Sequence, residues 1–235
     1  MKGMNRSTGL VPAAVLAAAA TSLCTASLWR WMTDWGATDQ EAAELLPGDE
    51  IVGQPRYRTT HAVTIQTPVE HVWPWLVQIG QGRSGMYSYD WVENLLGLQM
   101  HSADRIVPEL QALSVGDVIR MVPEGSQPDL RFVVAQLDPP HVLVLGPDGS
   151  REDALASDLP YPCWTFHLRA LTDSRTRLVV RFQSDFKPTP LGWLVNKYAL
   201  EPVHFVMERK MMLGIKDRAE RGAPAAGEVS RAVGH

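Results

Sequence analysis

From Arg58 to Gln66 the chain alternates, with His61, Val63 and Ile65 on one side and Thr60, Ala62 and Thr64 on the other, which is the period of a strand. At Thr67-Pro68 the period lengthens. Thr before Pro reads as a helix start, with Thr as N-cap and Pro at the first helical position, and Val69, Val72, Trp73 and Leu76 follow at helical spacing. A glycine-rich turn comes next. Ser88 is then placed to cap a second short helix through Asp90, Trp91, Leu95 and Leu96, closed by Gly97. Strand patterns recur near Asp117–Val122, Leu130–Leu137, His141–Leu145, Cys163–Leu171 and Arg177–Phe186, separated by Asp138-Pro139-Pro140 and Gly146-Pro147-Asp148-Gly149.

The last two strands specify a register. With Asp173 at the hairpin tip, Trp164 falls opposite Phe182, Phe166 opposite Val180 and Leu168 opposite Leu178. All six are apolar and share a face, and a one-residue slip would mix the faces. The other face carries Thr165, His167, Arg169, Val179, Arg181 and Gln183, and Arg181 is expected there at the surface. The apolar face needs a cover, and Leu191 to about Glu220 can supply it as a long helix. Leu200, Val203, Met207, Met211, Gly214 and Ile215 recur along it at helical spacing, Arg209, Lys210, Lys216, Asp217 and Arg218 fill much of the remainder, and Pro202 should kink it or begin its second half. Strand, two short helices, a run of antiparallel strands and a long C-terminal helix is an α+β order.

The N-terminus has a different pattern. Lys2 and Arg6 precede an uncharged, Ala-rich run from Ser7 to Trp29 that is long enough to span a bilayer. Trp29, Trp31 and Trp35 follow it as an interfacial aromatic belt would, and the excess of positive charge before the run favours an extracytoplasmic domain. Two alternatives stand beside a retained anchor. One is a signal peptide with Cys24-Thr25-Ala26 at its cleavage site, giving a secreted protein. The other is a buried Ala-rich helix. After the run, Thr38-Asp39-Gln40-Glu41 reads as a capping box for a short acidic helix that stops at Leu46-Pro47-Gly48. The chain thus divides into an anchor or signal segment over 1–30, a linker with a short helix over 31–56, a domain over 57–221 and a disordered tail over 222–235.

Composition narrows the chemistry. The 235 residues carry a net charge of −4 with no basic stripe, so no nucleic-acid partner is expected. Cys24 and Cys163 are the only thiols, too few for a disulfide framework or a cysteine zinc site. The histidines form no H-x-x-x-H or H-x-H pair, and no carboxylate cluster completes a ligand set, so neither a metal nor another cofactor is expected. Gly80-Gln81-Gly82-Arg83-Ser84-Gly85 spells the dinucleotide fingerprint G-x-G-x-x-G. That motif works only between a strand and a helix. Here it follows a helix, and no β-rich segment leads to Asp104 some twenty residues on, so it reads as a helix-to-helix turn that needs glycine conformations. Ser84 lacks the spacing of a nucleophile elbow.

Several stretches resemble bacterial SRPBCC proteins of the START-like, helix-grip superfamily, often labelled polyketide cyclase/dehydrase-like. They are Trp35-Gly36-Ala37-Thr38, Leu46-Pro47-Gly48-Asp49, Trp73-Pro74-Trp75-Leu76-Val77-Gln78-Ile79-Gly80-Gln81-Gly82-Arg83, Tyr87-Ser88-Tyr89-Asp90-Trp91, His101-Ser102-Ala103-Asp104-Arg105-Ile106-Val107-Pro108 and Met207-Glu208-Arg209-Lys210-Met211. The resemblance spans roughly Trp35 to Glu220. It implies a curved antiparallel sheet of six or seven strands gripping the C-terminal helix around a hydrophobic cavity, with two short helices after the first strand. Members of that superfamily include lipid carriers, hormone receptors and aromatic cyclases, and a shared fold does not choose among them.

Within that frame His204 is the leading titratable candidate. It borders the apolar face of the last helix, and Glu208, one turn on, could orient it for acid–base work. The plain alternative is a core-edge histidine bonded to a strand carbonyl. Tyr87, Tyr89 and Trp91 should close one end of the cavity, and Trp164, Phe166, Phe182 and Met207 should line it, although each is also ordinary core material. Arg83 and Arg105 could pair with Asp90 or Asp104, or bind a carboxylate. Three functions follow as expectations. The first is binding of a lipid- or isoprenoid-like molecule by a membrane-anchored domain. The second is a polyketide cyclase or dehydratase with His204 as acid–base, and the third a non-catalytic membrane scaffold. The oligomeric state has no signal in the sequence.

Overall fold

A computed structural model describes residues 26–156 and 159–222. The expected anchor or signal run lies almost wholly outside those residues, as does the tail beyond Gly222. Among the described residues no helix is long and apolar enough to cross a membrane.

In chain order the elements are α1 (26–33), α2 (Asp39–Ala43), α3 (Asp49–Val52), β1 (Tyr57–Ile65), α4 (Val69–Val77), α5 (Asp90–Leu95), β2 (Val118–Arg120), β3 (Arg131–Asp138), β4 (Val142–Pro147), α6 (Arg151–Ala156), β5 (Tyr161–Thr172), β6 (Arg175–Asp185), α7 (Pro190–Val195) and α8 (Glu201–Gly222). The six strands form one antiparallel sheet in the order β1-β6-β5-β4-β3-β2. Its inner face packs on α8 and α4, where Ile65, Phe166, Leu168, Leu178 and Val180 meet Val72, Leu76, Met211, Met212 and Ile215. This is the α+β helix-grip arrangement that the sequence implied. The register holds as read, with Trp164 opposite Phe182, Phe166 opposite Val180 and Leu168 opposite Leu178.

The outer face differs from expectation. Arg181 is not at the surface; it is 1% exposed. The segment read as a linker folds over it. Thr38 and Glu41 form the expected capping box, and α2, Leu46 and α3 then lie against the outer residues of β1, β4, β5 and β6. Arg181 reaches into that layer, donating to the carbonyls of Glu41 (2.8 Å), Ala42 (3.1 Å) and Glu44 (2.8 Å), to Asp49 Oδ2 (2.7 Å) and to Thr60 Oγ1 (3.1 Å). It satisfies carbonyls at the end of a helix of only five residues, where no further turn supplies their donors.

Local signals were met with two substitutions of role. Ser88 does not cap α5; its hydroxyl donates to the Met207 carbonyl (3.0 Å) and ties the loop to α8. The Thr67 hydroxyl meets His71 Nδ1 (3.1 Å) rather than capping α4. The glycine run closes on itself through mutual Gly80–Gly85 backbone bonds of 3.0 and 3.1 Å, after a helix and not a strand. Gly85 needs its positive φ of 68°, and a Cβ there would sit 2.8 Å from the His101 carbonyl. A wide π turn at Asn196–Leu200 leads into Pro202, relieving the crowding that a proline ring imposes on the preceding turn. As a result the first turns of the C-terminal helical region do not cover the sheet. Leu200 and Val203, assigned to the covering face, are exposed, and the buried stripe runs through Phe205, Glu208, Met211, Met212, Ile215 and Ala219.

Candidate functional site

Between the inner face of the sheet, α8 and the α5 and α6 segments lies a cavity of about 500 Å³. Its walls are largely apolar, with Met86, Phe132, Trp164, Phe182, Met207 and Met211 among them. Glu93, His204 and Glu208 also line it.

Glu208 projects from α8 toward β1 and β5 and is fully buried. Its Oε1 accepts from Trp164 Nε1 at 2.6 Å, and its Oε2 meets His61 Nδ1 in a short bond. His61 Nε2 is 2.7 Å from the Met32 carbonyl. A carbonyl only accepts, so Nε2 carries a proton, and Nδ1 then faces a carboxylate. Burial by itself lowers the His61 pKa, but the Glu208 charge and hydrogen bond outweigh it and raise the value. Burial pushes Glu208 up, and the charges of His204 and His61 hold it well below the usual carboxylate range. The directions agree on an imidazolium–carboxylate pair inside the core.

His204 sits one turn before Glu208, stacked on Phe182 at 4.2 Å between ring centroids, with Tyr57 at 5.9 Å and Trp164 at 6.1 Å. Its Nε2 is 3.5 Å from Glu208 Oε2 without hydrogen-bond alignment and has no hydrogen-bond partner among the described residues. The strand-carbonyl alternative is therefore not what the structure contains. Burial first, then the Glu208 and Glu201 carboxylates, push the Tyr57 hydroxyl far above its usual range, so at neutral pH it is un-ionised. The His204 imidazole thus stands beside a fixed carboxylate at the wall of a largely apolar space.

Glu93 was not anticipated. It lies on α5, is 6% exposed, and its Oε2 has no hydrogen-bond partner among the described residues. Burial, then the Asp90 charge, push it up to about 7. Trp91, expected to close one end of the cavity, is 71% exposed, and Leu95 and Leu96 of the same segment are exposed as well.

The remaining candidates divide. Trp164, Phe182, His204, Met207 and Glu208 line the cavity. Phe166 does not; it is buried behind Trp164 at 5.0 Å between centroids. Tyr87 also misses it. Its hydroxyl accepts from Gln78 Nε2 (2.9 Å), and its backbone, at φ 55°, lies where a Cβ on Gly214 would come within 2.3 Å of its carbonyl oxygen. Tyr89 lies under Lys210 Nζ, 5.7 Å from the ring centre, and Trp91 points outward. Arg83 donates to the Val77 (2.8 Å) and Leu110 (3.2 Å) carbonyls instead of pairing with an acid. Asp90 accepts from the Ser102 backbone (2.7 Å) and hydroxyl (2.6 Å), and Asp104 is taken by Arg218 at 3.1 Å. Among the described residues no group of three His, Cys, Asp or Glu is placed to hold a metal ion.

No protein-family model matches the chain, and no curated protein does. Among solved structures it is similar to the Zhui aromatase/cyclase from Streptomyces sp. R1128, at 15% identity and a TM-score of 0.44, over 73% of this chain and 98% of that one. It is likewise similar to truncated norcoclaurine synthase from Thalictrum flavum, at 14% identity and a TM-score of 0.40, over 68% and 91% of the two chains. A protein from Thermobifida fusca matches at 11% identity and a TM-score of 0.45, over 70% and 93%.

Proposed function

We propose that this protein binds a hydrophobic small molecule, lipid- or isoprenoid-like in character, in the cavity between sheet and α8, and that its N-terminal run holds it at a membrane. The observation that carries the binding reading is the cavity itself. About 500 Å³ of space walled by Trp164, Phe182, Phe132 and four methionines falls within the range of small-molecule sites. Methionine walls suit an irregular apolar guest because the side chain adapts its shape. The test is to purify the full chain without detergent, extract it with organic solvent and identify the extract by mass spectrometry. A stoichiometric apolar compound is expected. Absence of both a co-purified compound and any quenching of tryptophan fluorescence by an added apolar probe would sink the reading.

A second reading is supported by His204, whose Nε2 has no hydrogen-bond partner among the described residues and lies 3.5 Å from Glu208 Oε2. In it the cavity hosts a cyclisation or dehydration, with His204 removing a proton next to a carbonyl and Glu208 steadying the imidazolium that results. An aryl ketone incubated with the protein in D₂O should then exchange its α-protons faster than in buffer, followed by NMR. The His204→Phe variant should bind the ketone and lose the acceleration. Exchange at the buffer rate with the ketone bound would leave the carrier reading alone.

A further inference from the structure

We propose that the molecule this cavity accepts ends in a protonated amine, and that Glu93 receives it. The proposal rests on the ligand-binding reading above and adds the chemistry of the polar end. Glu93 is buried and lines the cavity, and its Oε2 is left without a hydrogen-bond partner. The other charged groups of the lining are already engaged. Arg131 binds Asp148 (2.5 Å) and Asp129 (3.1 Å), Asp153 accepts from the Ser150 hydroxyl (2.6 Å), and Glu208 is held by His61 and Trp164. Arg131 is the one guanidinium in the lining, against the carboxylates of Glu93, Asp129, Asp148 and Asp153.

A fatty acid or a phosphorylated lipid would bring a further negative charge to a lining that already holds five carboxylates, Glu208 included, and whose one guanidinium is paired. An alcohol could donate to Glu93 but would leave its charge uncompensated. An ammonium supplies both a charge and several donors, and a buried carboxylate gains most from such a partner. The apolar walls then take the rest of the molecule.

Three matched probes test this on the full chain at pH 8: 2-(1-naphthyl)ethylamine, 2-(1-naphthyl)ethanol and 1-naphthylacetic acid, titrated calorimetrically. The amine is expected to bind at least tenfold more tightly than the alcohol, and the acid more weakly than either. In Glu93→Gln, checked for its fold by circular dichroism, the amine should fall to within about threefold of the alcohol while the alcohol keeps its affinity. Equal binding of amine and alcohol, or tighter binding of the acid, overturns the amine proposal and leaves the ligand-binding reading standing. Binding of none of the three counts against both.

A separate observation carries a second inference. Leu191 is 70% exposed and Tyr198 62%, and Trp193, Leu194, Leu200 and Val203 of the same segment are also exposed. The one acid among them, Glu201, is buried and paired with Lys197 at 2.9 Å. α1 lies beside this face, with Lys197 Nζ 3.9 Å from the Trp29 ring centre and the Trp29 and Tyr198 rings 5.9 Å apart. The uncharged run from Ser7 to Trp29 therefore enters the described structure at this patch. We infer that α7 and the turn after it rest in the headgroup region of a lipid bilayer. Tryptophan, tyrosine, leucine and lysine side by side are the composition of such interfacial segments.

The test is fluorescence of the full chain on vesicles of phosphatidylcholine and phosphatidylglycerol with and without brominated acyl chains. Bromolipid should quench part of the emission, and Trp193→Phe should remove much of the quenched part. Undiminished quenching in Trp193→Phe places the membrane contact elsewhere and overturns the inference. Absence of vesicle binding, or a dimer in solution that buries Trp193, does the same.

Discussion

The two faces of the sheet treat buried charge in opposite ways. On the outer face Arg181 has five partners, and Arg177 holds Glu41 through bonds of 2.7 and 2.8 Å, so each group is answered by the protein. On the inner side Glu208 is answered in the same way, yet Glu93 of α5, lining the same cavity, keeps an Oε2 with no hydrogen-bond partner among the described residues. Burying an ionisable group costs several kcal/mol unless it is paired. Where the chain supplies the partner, the residue serves the fold. Where it does not, the group is open to a partner from outside the chain.

The comparison breaks most visibly at Arg181. Arg181→Met removes the guanidinium from under α2 and should cost about 3–5 kcal/mol of stability, measured by urea denaturation. A cost under about 1 kcal/mol would mean that the outer layer does not need its arginine. Glu208→Gln should cost about 2–4 kcal/mol near pH 6 and also flatten the pH dependence. Because the His61 pKa is raised, its contribution is fully present below about 6.5 and is lost as pH rises through the higher folded value. Because that of Glu208 is lowered, its contribution is present above about 4.5 and is lost as pH falls through the folded value. Wild type should therefore lose stability above neutral pH, and the variant should show a smaller slope. An identical slope would remove the pair from the account.

At Glu93 the substitution should stabilise instead of destabilise. Its pKa is raised from 4.5 to about 7, so the folded state binds the extra proton and wild-type stability falls as pH climbs through that interval. Glu93→Gln should be more stable than wild type by on the order of 2–3 kcal/mol at pH 8 and equal to it near pH 4. Denaturation at the two pH values reads this directly, and a variant no more stable at pH 8 would mean that Glu93 has a partner. The smallest effect is expected at Trp91. Trp91→Ser should change stability by less than about 0.5 kcal/mol in a thermal scan, since its ring is exposed.

Much of the fold was legible because the β5–β6 faces are sharply segregated, so alternation alone set the pairing of Trp164 with Phe182. The capping box at Thr38–Glu41 was legible for a similar reason, since both partners lie within four residues. Arg181 was not, because the layer that buries it comes from more than 130 residues earlier in the chain. Half of the site was readable, since His204 and Glu208 share a helix turn. His61 had a signal that went unused: it shares its strand face with Val63 and Ile65, and a histidine on a core-facing row calls for a partner. Glu93 gave none, because α5 hides its acid and displays its tryptophan and leucines, the reverse of what periodicity assumes.

His61 is also a joint. One nitrogen holds the Met32 carbonyl at the end of α1 and the other holds Glu208 in the cavity wall, 147 residues further along the chain. One imidazole ring thus bridges the leading helix and the carboxylate beside His204, next to the ring contact of Trp31 with Phe205. The leading helix and the cavity wall therefore share one hydrogen-bonded residue.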